Sequence, residues 1–167
     1  FPPNKIYLKE DFYVSISNIE AYSIIESWPR WIKKTVNIFG PAGSGKSHLV
    51  SILEKNASCM KISCRDLSEK IFLQFKLKEV LIIEDLIEKI SENILYSLFN
   101  VATQENKFLL ITSKKALNLY NFKLTDLKSR AKSCLNVEIK LPSDDLINVI
   151  LSKNFSDRQI TVDKKHI

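Results

Sequence analysis

Apolar residues come in two spacings along this chain. Short runs almost continuous in Val, Ile, Leu and Phe alternate with stretches where apolar residues recur every three or four positions. The runs at 35–40 (TVNIFG), 57–63 (ASCMKIS), 79–86 (EVLIIEDL), 107–113 (KFLLITS) and 134–141 (CLNVEIKL) predict strands. The wider spacing predicts a helix over 18–28, with Ile19, Tyr22, Ile25 and Trp28 on one face, Asn18 as N-cap and Pro29 as terminator. Further helices are predicted over 46–56, over 65–75 with Leu67, Ile71 and Phe75 aligned, over 91–106 behind Ser91, and over 124–131. A last helix is predicted over 142–155, capped by Ser143. Ahead of them, FPPNK reads as an extended lead and DFYVS (11–15) as a short apolar stretch. Apolar strands separated by helices predict a parallel sheet covered on both faces, an α/β fold. No internal repeat and no low-complexity tract interrupts the pattern.

Composition narrows the classes. A chain of 167 residues that is 45% hydrophobic can bury a proper core, and its even charge mixture argues against disorder. The net charge of +6 is compatible with an acidic partner such as nucleic acid. No dense Lys/Arg block and no aromatic–basic interleaving accompanies it, so it reads first as solvated lysines. Cys59, Cys64 and Cys134 form no CxxC pair and read as reduced thiols of a cytoplasmic protein. His48 and His166 are too far apart for a metal cluster. No apolar run is long enough for a membrane span, and no signal peptide is visible. The chain opens on Phe1 and carries its single methionine at Met60, so residue 1 is expected to lie downstream of a translational start.

All three glycines fall within six positions of one another, in GPAGSGKS (40–47). The stretch joins a predicted strand to a predicted helix and matches G-x-x-x-x-G-K-[ST]. Backbone N–H groups that converge on phosphate oxygens need angles and close approaches a Cβ obstructs, which is why glycine is required. The following helix aims its positive end at the same anion. The candidate phosphate-binding residues are Gly40, Pro41, Ala42, Gly43, Ser44, Gly45, Lys46, Ser47 and His48, with Lys46 on the β/γ-phosphates and Ser47 on Mg²⁺.

Nucleotide hydrolysis also needs a carboxylate at the end of a nearby strand. VLIIED supplies Glu84, the candidate metal ligand, and Asp85, the candidate catalytic acid, although two solvated acids closing a strand have the same appearance. The order is unusual, since the shorter acid commonly holds the metal and the longer one polarises water. Thr112 and Ser113 end another strand, where either a γ-phosphate sensor or a plain strand terminus fits. Arg130, in TDLKSRAKS, is either a surface arginine or a phosphate-reaching one.

Taken in order, the phosphate loop, acidic strand end, polar strand tip and DLKSR (126–130) resemble the AAA+ ATPases of the replication-initiator group, DnaA and its shortened relative Hda, with the Hda branch the better fit. EDFYVSISNIEAYSIIESWP is similar to the group's adenine-side segment, which would put Phe12 and Val14 near the base. FSDRQITVD (155–163) resembles the start of the group's helical lid.

The resemblance implies a three-layer αβα P-loop NTPase of the AAA+ class with a five-stranded parallel sheet. It divides the chain into a nucleotide-binding base domain (1–141) and the beginning of a small helical lid (142–167). It implies ADP or ATP with Mg²⁺ as ligand, Arg130 as an arginine finger acting in trans, and Ser113 beside the nucleotide. By the same resemblance the partners are a DnaA-type initiator, whose hydrolysis is stimulated, and a DNA-loaded sliding clamp reached through a segment expected ahead of Phe1. DNA is then touched only indirectly, no membrane is involved, location is cytoplasmic and nucleoid-associated through partners, and self-association is compatible. Lys114 stands where DnaA carries an acid, and Asp126 where it carries an arginine. Both departures favour a regulator with little hydrolysis of its own over the alternative, a self-sufficient DnaA-like or helicase-loader-like ATPase. A small P-loop kinase would need an Arg-rich lid that the sequence does not display.

Overall fold

The computed structural model describes residues 11–141, 147–152 and 160–164. Eight strands and five α-helices follow in order: β1 (Asp11–Ser15), α1 (Ile19–Ser27), β2 (Thr35–Phe39), α2 (Lys46–Asn56), β3 (Cys59–Ser63), α3 (Lys70–Phe75), β4 (Val80–Leu86), α4 (Glu92–Gln104), β5 (Phe108–Ser113), α5 (Thr125–Ser133), β6 (Leu135–Glu138), β7 (Ile147–Ser152) and β8 (Ile160–Lys164). Short 3₁₀ turns at Cys64–Asp66 and Leu117–Leu119 follow β3 and β5.

Five strands form a parallel sheet in the order β3-β4-β5-β2-β6. Strand β5 therefore lies between β2, which feeds the glycine loop, and β4, which carries the acids. Alternation along each strand builds two cores. Val36, Ile38, Val80, Ile82 and Leu110 meet α1 and α2 through Ala21, Ile25, Leu49 and Leu53. Leu81, Ile83, Leu109 and Ile111 meet Phe75, Leu95, Leu98 and Leu127 from α3, α4 and α5. Each large aliphatic side chain taken out of water there contributes roughly 1.5–3 kcal/mol.

Three local outcomes differ from the sequence pattern. The helix expected over 65–75 is cut to α3, because the Ser63 hydroxyl accepts from Arg65 N (3.3 Å) and closes a 3₁₀ turn first. Asn18 stands at the N-cap position of α1 as predicted and its carbonyl accepts from Tyr22 N (2.9 Å), but its side-chain oxygen turns back to accept from Ser15 N (2.9 Å). The helix expected over 142–155 is replaced at 147–152 by β7, which pairs antiparallel with β1 and with β8 in a second, three-stranded sheet. INVILS is rich in β-branched residues, and pairing on both sides outweighs a helical spacing read from one segment alone. The FPPNK lead, Ser143, His166 and the first half of FSDRQITVD lie outside the described residues.

Candidate functional site

The glycine loop is closed from two directions. As β2 ends, Gly40 N donates to Ser113 O (3.0 Å), joining the loop to the tip of β5. A Cβ on Gly40 would stand 2.4 Å from Ile139 O and 2.9 Å from Ser44 Oγ, so only glycine fits. Gly45, at φ 107°, turns the chain into α2, where Leu49 N donates to Gly45 O (3.3 Å). Pro41, Ala42 and Gly43 are exposed at the crest, and Ser47 is exposed on the first turn of α2. His48 is half-buried, and burial lowers its imidazole pKa, with Lys55 adding to the effect.

The Lys46 ammonium folds over the loop mouth, donating to Gly40 O (2.6 Å) and Pro41 O (3.0 Å). Burial lowers its pKa below the usual lysine range; Asp85 opposes that shift and Lys114 adds to it. Lys46, Asp85 and Lys114 thus share one electrostatic neighbourhood.

The acids sit on a bulge. Between β4 and β5 the register passes from Ile83↔Ile111 to Leu86↔Ser113, three residues against two. The extra residue resets the alternation, so Leu86 joins the same core as Ile83. Asp85 takes φ 57°, its N–H donates to Thr112 Oγ1 (3.0 Å), and its carbonyl accepts from the Cys64 thiol (3.1 Å). The backbone is pinned on both sides while the carboxylate remains exposed. Glu84 is half-buried, and burial raises its carboxyl pKa; Lys61 opposes this and Asp85 adds to it. Asp85, Lys114, Arg65, Glu88 and Tyr120 line a cleft of about 720 Å³ above the ends of β3, β4 and β5.

Ser113 reaches the loop through its backbone. Ser113 is 1% exposed, and its hydroxyl donates to Lys115 O (2.7 Å) and accepts from Asn37 Nδ2 (2.9 Å). Asn37 is fully buried on the α4 side of β2, donates also to Ile111 O (2.9 Å), and accepts from Leu117 N (3.1 Å), which is shared with Asn136 Oδ1 (3.2 Å). Asn37 is not among the candidates that the sequence motifs mark out. Its signal was there, a single amide inside the apolar run TVNIF. Val14 is fully buried in the core under α1 and α2, and Phe12 sits on β1 opposite Leu151.

Arg130 does not join this group. It lies on α5, half-buried, with its guanidinium donating to Asn100 Oδ1 and Thr103 Oγ1 (3.4 Å) and lying 5.7 Å from the Tyr96 ring centroid. Tyr96, Asn100 and Thr103 form one face of α4. Arg130 also lines a depression with Lys33, Lys34 and Thr35, at the start of β2, whereas the glycine loop follows its end. Five residues of strand put about 13 Å between those levels.

The loop fits a polyphosphate on two structural counts. Gly40 has no room for a side chain, and Ser44 Oγ is buried without a hydrogen-bond partner among the described residues. The charges agree, with one ammonium at the mouth and two carboxylates on the bulge. Among the described residues no group of His, Cys, Asp and Glu could hold a metal ion alone, so a divalent cation there would arrive with its nucleotide. No described helix is long and apolar enough to cross a membrane.

No family model and no curated protein matches the chain. Solved structures do match. AMPPCP-bound DnaA from Aquifex aeolicus aligns with TM-score 0.67 at 19% identity, over 78% of this chain and 49% of that one. A primosome component from Streptococcus pyogenes aligns with TM-score 0.57 at 20% identity, over 77% and 81%. RuvB from Thermotoga maritima aligns with TM-score 0.51 at 20% identity, over 75% and 44%. The chain spans about half the length of the DnaA structure it matches. These likenesses bear on architecture: the chain has the α/β fold of an AAA+ P-loop NTPase, with the five-stranded parallel sheet expected of it.

Proposed function

We propose that this chain is an adenine-nucleotide-binding regulator of replication initiation of the Hda type, which stimulates ATP hydrolysis by a DnaA-type initiator with Arg130 supplied in trans. The observation that carries this reading is the separation of Arg130 from its own phosphate loop. A guanidinium anchored to α4 and level with the start of β2 cannot serve the phosphates held at the end of β2. It can serve those of a second molecule.

In this reading the chain's own site holds ADP or ATP. The loop amides and Lys46 bind the phosphates, and Lys46 exchanges the carbonyls of Gly40 and Pro41 for phosphate oxygens. Ser47 and Glu84 would hold Mg²⁺, which when bound would supply neutralisation of phosphate charge. Phe12 and Val14 stand on the adenine side through β1. Asp85, its backbone pinned by Thr112 and Cys64, lines the neighbouring cleft within electrostatic reach of Lys46. Lys114 places a cation where an acid would assist γ-phosphate chemistry, which supports weak intrinsic hydrolysis. Arg130 then stabilises transition-state charge on the partner's nucleotide, an effect worth roughly 10³–10⁵ in rate where such fingers operate.

The test is hydrolysis by ATP-loaded initiator in the presence of a loaded clamp and this protein. Arg130→Ala, with its fold verified by circular dichroism, is expected to lower the stimulated rate at least about a hundredfold. Undiminished stimulation would overturn the reading. A second reading, a self-sufficient ATPase of helicase-loader type, is favoured by Asp85 lying within electrostatic reach of Lys46. Sustained turnover by the chain alone, abolished by Asp85→Ala, would establish it instead.

A further inference from the structure

Arg130 shares its end of the sheet with a second cation. Its guanidinium lines a depression with Lys33, Lys34, Thr103, Ser133 and Cys134, of about 100 Å³. That is well below the roughly 300–1,000 Å³ of a site for a whole small molecule, and leaves room for one small group. No carboxylate lines it.

A donor count says which kind of group. The Ser133 hydroxyl donates to Arg130 O (3.1 Å), the Thr103 hydroxyl to Phe99 O (3.2 Å) and the Cys134 thiol to Ala131 O (3.2 Å). Each has spent its one hydrogen inward. Lys34 donates to Asn106 and lies 4.5 Å over the Phe108 ring. Only cationic donors remain to face the depression: the guanidinium N–H bonds not used by Asn100 and Thr103, the further N–H bonds of Lys34, and the exposed ammonium of Lys33. Fixed guanidinium and mobile ammonium together suit an oxyanion with several equivalent oxygens.

We propose that the Lys33–Arg130 depression seats one phosphoryl group of the nucleoside triphosphate carried by a second molecule, with Lys33 as a binding residue beside the arginine. The proposal rests on the trans-arginine reading above and adds to it a second phosphate-binding residue, Lys33, that reading does not contain. Arg130 is held by α4 and meets the charge that develops during hydrolysis. Lys33, on the exposed segment before β2, contributes to association through its charge.

The two roles separate in one titration. Hydrolysis by ATP-loaded initiator is followed against increasing concentration of this protein at low and high salt, for the wild type, Arg130→Ala, Lys33→Ala and Lys33→Arg. Arg130→Ala is expected to lower the maximal rate. Lys33→Ala is expected to raise the half-saturating concentration about five- to tenfold, keep the maximal rate within about twofold, and flatten the salt dependence; Lys33→Arg restores all three. If Arg130→Ala loses stimulation while Lys33→Ala keeps wild-type half-saturation and salt dependence, the subsite is refuted and the arginine reading stands. If Arg130→Ala stimulates like the wild type, both fall.

Discussion

The side-chain amide of Asn37 donates to Ser113 Oγ at 2.9 Å, fastening the strand that feeds the glycine loop to the tip of its neighbour. The same amide reaches Ile111 O, and its oxygen takes Leu117 N. One buried side chain thus sets the height of β5 against β2 and the course of the chain after β5.

Asn37→Leu is therefore expected to destabilise the fold although it adds apolar surface. It strands the Leu117 amide on Asn136 alone and removes two donors from buried oxygens, at a cost of about 2 kcal/mol or more. A denaturation midpoint equal to the wild type would show that the network contributes nothing.

Gly40→Ala tests the loop in the same way. The added methyl meets Ile139 O, a backbone atom of the segment after β6, and relief requires that segment or the loop to move. A loss of about 1–3 kcal/mol is expected, with weakened ADP binding by calorimetry. Equal stability and equal affinity would mean that the loop has slack the geometry denies.

Lys46 carries a pH signature. Burial depresses its pKa in the free protein, and a bound polyphosphate would raise it again. Below the depressed value the ammonium is charged in both states and affinity is flat. Above it, binding must take up a proton, so affinity for ADP should fall with rising pH, and fall sooner than for an ordinary lysine. Lys46→Ala should abolish binding. Affinity that is level through the alkaline range would remove Lys46 from the phosphates.

Burial, with Glu54 and Glu79 adding, pushes the Cys59 thiol up to about 11, and burial pushes Cys134 up to about 12 against the pull of Asn136. Both stay protonated at pH 8, so alkylation of the native protein at these positions should be slow and should recover its rate on unfolding. The unfolded thiols ionise near pH 9, while the folded ones do not. Their contribution to stability is complete below that pH and is lost as pH climbs toward 11. Fast labelling at pH 8 would contradict the packing around them.

The order of strands and helices through 141 was legible because apolar runs and helical spacings reflect burial on two faces. The place of the glycine loop between β2 and α2 was legible because its three glycines interrupt the apolar run of one element and precede the helical spacing of the next. Strand β7 was not, since INVILS satisfies a helical pattern too and only its pairing with β1 and β8 decides the matter. The Glu84–Asp85 bulge was hidden for a related reason: one extra residue becomes visible when β4 is laid against β5. Arg130 was marked out by its sequence surroundings, but its seat on Tyr96, Asn100 and Thr103 depends on how α5 crosses α4.

Strand β5 holds β2 and β4 apart, so the lysine and the acid pair lie on either side of a spacer linked to the bulge through Thr112 and to the glycine loop through Ser113. A polyphosphate touching both sides would act as a brace over three strands. Emptying the site would then slacken the whole upper rim in one movement, and the cleft lined by Lys114 and Tyr120 would register whether a nucleotide is present.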